Sequence, residues 1–213
     1  MDRERKESKK EIINNLFKPG NLRWGATGIE RDDFVNVITR GLLPAHTHTT
    51  RNPLDVFRGD AVCFSMIVNI SPEDPLFNYK IQLFEGPRDD ENIYEDSEVP
   101  KLSFTAILTP EDLLSTYGEK VEAIGSYFHG SSSLNKRVKE INSYQIPIRH
   151  RNMFEEPPTD FEVVIRSPGS GILPSMWKGI VIPHASYPLL LEWEQESGVR
   201  LPRIVSPSGV ILR

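Results

Sequence analysis

The sequence predicts a single α+β domain. Three observations predict it. Apolar alternation of strand period recurs in several separate blocks, helical periodicity lies mainly before and between those blocks rather than after every strand, and no Pro/Gly/Ser linker or internal repeat divides the 213 residues. A chain of this length with 38% hydrophobic and 26% charged residues can bury a sizeable core.

Taken in order, residues 2–17 read as a charged helix with Ile12, Ile13, Leu16 and Phe17 on one side, stopped by the "KPGN" run. "LRWGA" reads as a short strand entering a glycine-containing loop. "ERDDFVNVITRGLLP" is the clearest helix: Phe34, Val37 and Ile38 fall at i, i+3, i+4, Gly41 caps the end and Pro44 follows. After the polar stretch "AHTHTTRNP", residues 59–70 read as a buried strand, with "YKIQLF" (79–84) as its partner. Residues 85–99 are expected to be an acidic surface loop. "KLSFTAIL" is a strand, "TPEDLLSTY" opens a helix with Thr109 as N-cap and Pro110 at the first helical position, and "SSSLNKRVKEINSY" is a helix with a Ser cap. Then come the strands "FEVVIR" and "KGIVIP", a helix from Pro188 to Ser197 closed by Gly198, and a tail of two strands around "SPSG".

Charge is uneven. The acidic loop carries seven acids and one Arg, a net of −6, against −5 for the whole chain. Residues 135–151 carry five Lys or Arg and one Glu. Such a stretch can meet phosphates or can simply be a solvated helix face. No apolar stretch precedes residue 12, which is not the pattern expected of a secretory leader, and no apolar run approaches the roughly 20 residues of a membrane helix. The one cysteine, Cys63, excludes an intramolecular disulfide and a cysteine metal cluster, so the expected compartment is the cytoplasm. Dinucleotide (G-x-G-x-x-G), P-loop, H-E-x-x-H and G-x-S-x-G motifs are absent. His46 and His48 are read as solvated loop residues rather than as ligands, and no metal is expected.

One carboxylate stands out. In "DFEVVIR" the alternation Phe161, Val163, Ile165 buries one face and leaves Glu162, Val164 and Arg166 on the other. Glu162 is either a solvent-facing strand residue, for instance paired with Arg166, or a group facing a cleft.

Three blocks in order bear on that choice: "LRWGATGIERDDFVNVITRGLLP", "GDAVCFSM", and "DFEVVI" followed by "WKGIVIP". Together they resemble the ADP-ribosyltransferase fold. Its members often open with a strand bearing His or Arg before Gly-Thr and a helix ending in "GL-P". A second strand ends in an aromatic and Ser or Tyr, and a late strand carries the catalytic Glu. The late block also resembles DarT-type toxins that modify nucleic-acid bases, with Asp160 where those proteins have Gln or a similar residue. Trp24 stands near the place of the first-strand His, and Arg23 matches members that use Arg there. The Ser-Thr-Ser that follows the second block in members of that fold is absent, and only Ser65 remains.

The resemblance implies a split mixed or antiparallel sheet with flanking helices, and NAD as substrate. It implies Glu162 as catalytic carboxylate, with Arg51 on the pyrophosphate or acceptor and Arg58 as its competitor. It places Arg23, Trp24, Gly25, Thr27, Phe64 and Ser65 at the dinucleotide, and Asp160, Arg149 and Arg151 at the acceptor. Trp24 or Phe64 would stack on nicotinamide; for Trp24 the alternative is a place in the core. The acceptor would be nucleic acid or protein, the setting a toxin or phage-defence effector, and the acidic loop could meet an antitoxin or regulatory partner. No membrane partner is expected. A non-catalytic binding protein on the same fold, and an NAD hydrolase or phosphotransferase relative, are the competing readings.

Overall fold

The computed structural model describes residues 9–44, 61–68, 99–126, 134–149, 158, 160–206 and 210–213. The expected strand at 79–84, the acidic loop apart from Val99, and Arg51, Arg58, Arg151, His46 and His48 lie outside the described residues.

Five α-helices and eight strands are described: α1 (Lys9–Leu16), β1 (Leu22–Ile29), α2 (Arg31–Arg40), β2 (Ala61–Met66), β3 (Leu102–Leu108), α3 (Pro110–Tyr117), β4 (Val121–Ser126), α4 (Leu134–Ser143), β5 (Ile148–Arg149), β6 (Asp160–Arg166), β7 (Gly179–Val181), α5 (Tyr187–Ser197) and β8 (Ile204–Val205). The strands form one mixed sheet in the order β5-β4-β6-β2-β1-β3-β7-β8. The five inner pairings are antiparallel; the two edge pairings, β4 with β5 and β7 with β8, are parallel.

The sheet narrows at its centre. β1 and β2 pair at only two positions, Leu22↔Met66 and Arg23↔Ser65, continued outward where the Ile67 amide donates to the Asn21 carbonyl at 2.7 Å. Beyond Arg23, β1 pairs with β3 alone; before Ser65, β2 pairs with β6 alone. The expected division of the sheet is thus a notch in one hydrogen-bonded sheet, not a break between two.

One face carries the main core. Leu22, Phe64, Met66, Phe104, Ala106, Val163, Ile165 and Ile180 alternate onto it and are buried together with Phe34, Val37 and Ile38 of α2, Leu113 of α3, Ile141 of α4, and Leu190 and Trp193 of α5. Aromatic rings fix the seam: Phe34 meets Phe104 edge-on at 5.4 Å between centroids and Trp193 at 5.5 Å. On the opposite face Leu16 of α1 packs with Ile107, Val181 and Val205. Asn21 holds that helix by donating from Nδ2 to the carbonyls of Asn15 (2.9 Å) and Leu16 (2.8 Å), which satisfies two carbonyls at its C-terminal end.

Several expectations change. β1 does not stop in a loop after Ala26; it runs to Ile29 across an irregularity in register. Gly28 absorbs it with φ +63°, its amide donating to Ser103 Oγ at 2.9 Å. β4 was not legible as a strand, because Glu122 and Gly125 interrupt the apolar alternation of "VEAIGS". The tail has one two-residue strand, β8, and a bridge from Val205 to Ile211 rather than two full strands. No described helix is long and apolar enough to cross a membrane.

Candidate functional site

The register of the central strands sets the site. Arg23 of β1 lies opposite Ser65 of β2, Ser65 opposite Glu162 of β6, Glu162 opposite Ile124 of β4, and Ile124 opposite Arg149 of β5. Directly opposite residues share a face, so Arg23, Ser65, Glu162, Ile124 and Arg149 form one row across it. Adjacent strands lie about 4.8 Å apart, so Arg23 and Arg149 flank Glu162 at about 10 Å on either side, backbone to backbone. Arg23, Ser65, Glu162 and Ile124 are half-buried, whereas Phe161, Val163 and Ile165 behind them are buried.

The row falls where the notch begins. Asn21 turns its carbonyl toward β2, and strand alternation gives Arg23 and Gly25 the same direction. Arg23 still has Ser65 opposite it; Gly25 is past the last β1–β2 pair. Gly25 is exposed, and a Cβ built on it would come no nearer than 3.7 Å to Thr105 Oγ1. A planar amide can therefore approach this backbone on the same face as Glu162, without a side chain in the way. The backbone of Thr27 continues the strand.

Beside Glu162 stands an ion cluster around a buried carboxylate, which the sequence did not suggest. Glu122, two residues before Ile124 on β4, accepts from Arg166 Nε and lies 2.7 Å from Arg149 Nε. Arg166, read as a partner for Glu162, thus turns its Nε to Glu122 on the neighbouring strand. Among the described residues this one carboxylate faces two guanidiniums. The only signal available in sequence was a buried-strand position occupied by Glu, and it could not be used before β4 was known.

Three expected site residues are placed elsewhere. Trp24 and Phe64 alternate onto the opposite face from Glu162. Phe64 is 1% exposed within the main core, and Trp24 packs on the Phe104 ring with centroids 5.8 Å apart. Stacking on a ligand held by Glu162 is not open to either, because a strand turns neighbouring side chains to opposite faces. Asp160 shares the parity of Glu162, but its carboxylate is buried in an ion pair with Arg137 of α4 and accepts from the Phe161 amide at 2.7 Å. It anchors the head of β6 instead of meeting an acceptor. The same pair dismantles the expected basic stretch: Arg137 is inside, Lys136 and Lys139 are exposed on α4, and Arg149 belongs to the row.

Among the described residues no group of His, Cys, Asp and Glu could hold a metal ion. Comparison with family models, curated proteins and solved structures finds no match to this chain.

Proposed function

We propose that this chain is an NAD-dependent ADP-ribosyltransferase acting on a nucleic-acid or protein acceptor, in the setting of a toxin or phage-defence effector. The observation that carries the reading is the row Arg23–Ser65–Glu162 at the mouth of the notch. The sequence resemblance named these three residues separately, on blocks far apart in the chain, and adjacent strands bring them into one register line.

The chemistry suits the row. The bond from C1′ of the ribose to the nicotinamide nitrogen breaks, the electron pair leaves with nicotinamide, and C1′ becomes oxocarbenium-like. Glu162 stabilises that charge and holds the ribose 2′-hydroxyl; Ser65 sets a hydroxyl beside it; Arg23 takes the pyrophosphate. The carboxamide of nicotinamide docks on the backbone at Gly25. The acceptor's lone pair then forms the new bond to C1′, and its proton passes to the Glu162 carboxylate. An anchored carboxylate of this kind contributes about 3–4 kcal/mol to lowering the barrier. A position on a strand, with Asp160–Arg137 fixing the strand's head, holds the carboxylate where the charge develops.

Incubation with NAD tests the reading. Free nicotinamide should appear together with a mass gain of one ADP-ribosyl group on DNA, RNA or protein supplied as acceptor. Nicotinamide without a labelled macromolecule would make the protein a hydrolase, and neither product would leave a binding protein.

A further inference from the structure

We infer that the buried hydroxyl of Thr105, on β3, is a ligand-binding group: with the open backbone edge of Gly25 it forms a site selective for a neutral primary carboxamide over a carboxylate. That this carboxamide is the one carried by NAD rests on the transferase reading; the site itself does not.

Gly25 and Thr105 stand opposite each other on β1 and β3, and the fold requires neither choice. Gly25 has no positive φ. A Cβ added there would meet Thr105 Oγ1 at 3.7 Å and the Phe104 carbonyl at 4.0 Å, both ordinary contacts. An alanine would fit, and a glycine weakens a strand interior. Thr105 is 7% exposed, yet its hydroxyl has no hydrogen-bond partner among the described residues. Ser103, two residues earlier on the same face, is the contrast, since its Oγ accepts from the Gly28 amide. In the register row of Thr105, Val181 and Val205 pack with Leu16 of α1 and with Ile107. A valine would fill the volume of Thr105 and join them without an uncompensated hydroxyl.

The two choices explain each other. Ile107 accepts from the Lys178 amide, so the backbone of Thr105, two residues away, is also turned to the β7 side. Gly25 and Thr105 therefore make no hydrogen bonds to each other, the arrangement that brings opposite positions closest. With no side chain at 25, Oγ1 stays uncovered beside an exposed backbone. The Gly25 N–H and C=O turn into the notch, past the last β1–β2 pair, and neither has a partner among the described residues. One donor, one acceptor and a hydroxyl thus meet where the row Gly25–Thr105–Val181–Val205 carries no charge. A primary carboxamide matches them. Its oxygen accepts from the Gly25 N–H and from the Thr105 hydroxyl, and its nitrogen donates to the Gly25 carbonyl. A carboxylate sets acceptor against acceptor at that carbonyl and brings a charge that nothing in the row compensates.

Calorimetric titration of the full chain with benzamide and with benzoate, both without NAD, tests the assignment. The wild type should bind benzamide, and benzoate about tenfold more weakly or worse. Thr105→Val should weaken benzamide about fivefold, the share of one neutral hydrogen bond, with Tm unchanged or raised because the hydroxyl removed has no partner to lose. Thr105→Ser should hold the affinity within about twofold, since it keeps donor and acceptor. Gly25→Ala should weaken benzamide about tenfold by covering the hydroxyl, again without lowering Tm. A purely structural Thr105 would show the reverse in Thr105→Val, a lower Tm with unaltered affinity. The inference is overturned if the wild type binds neither compound or both alike, if Thr105→Val binds benzamide as the wild type does, or if its affinity and Tm fall together. Benzamide binding that needs Thr105 in a protein that releases no nicotinamide from NAD would sink the transferase reading and leave the Thr105 site standing. Nicotinamide release by Thr105→Val at the wild-type rate and KM would keep that reading and remove the site.

Discussion

Glu162 owes its position to its neighbours in register, and each residue of the row has a distinct consequence when changed. Glu162→Gln keeps shape and removes charge, so transfer should fall about 10²–10³-fold, as for loss of one preorganised electrostatic group. Arg23→Ala should act on binding instead, raising the apparent Kd for NAD about tenfold or more in a titration, the worth of a charge-assisted hydrogen bond. Phe64→Leu separates the two faces. Being in the core, it should lower stability by about 1–2 kcal/mol in a denaturant melt and leave NAD affinity unchanged; a selective loss of NAD affinity would return Phe64 to the site. The sequence could name Arg23, Ser65 and Glu162 from the pattern of the blocks. It could not exclude Trp24 and Phe64, because which face a strand buries is settled by the strands beside it.

The helix ends show where an element depends on a single atom. Gly41, φ +84°, ends α2, and Gly171, φ +82°, lies against it; Leu42 and Ile172 exchange amide-to-carbonyl hydrogen bonds of 3.0 and 3.1 Å between them. A Cβ on Gly41 would sit 2.7 Å from the backbone of Ile172, and one on Gly171 2.3 Å from the Arg40 carbonyl. Neither neighbour is a flexible side chain. Gly41→Ala and Gly171→Ala should each cost about 2–3 kcal/mol, with a fall in Tm of roughly 5–10 °C. Gly198→Ala, where φ is also positive but nothing stands within 4 Å, should cost only about 1 kcal/mol. Equal losses at all three would refute the close-approach account. Tyr117 ties the same region to α3, its O–H donating to the Gly171 carbonyl at 3.2 Å; burial pushes the phenol above its ordinary range and keeps the proton there. The helical capping of α2 and α3 was readable from Gly41, Thr109 and Pro110. The pairing of Gly41 with Gly171, remote in sequence, was not.

At the scale of the molecule, a sheet narrowed to two central pairs should be least protected there. Trp24 faces Ala106 of β3, while Gly25 faces the notch. In hydrogen exchange the Gly25 amide should therefore exchange faster than that of Trp24, and NAD should slow it. The α+β class was legible because two long strands, β3 and β6, carry their apolar pattern within themselves. The edge was not: β4 hides behind Glu122 and Gly125, and the ion cluster of Glu122 with Arg149 and Arg166 needs β4, β5 and β6 together. The basic run at 135–151 looked continuous only because sequence cannot show Arg137 turned inward to Asp160. What unites these levels is the claim that Glu162, in line with Ser65 and Arg23, breaks the nicotinamide–ribose bond. The direct test is the rate of nicotinamide release from NAD by the wild-type chain and by Glu162→Gln, at matched melting temperatures. The account predicts measurable release by the first and a drop of at least 10²-fold in the second; no release by the wild type, or equal rates in both, would contradict it.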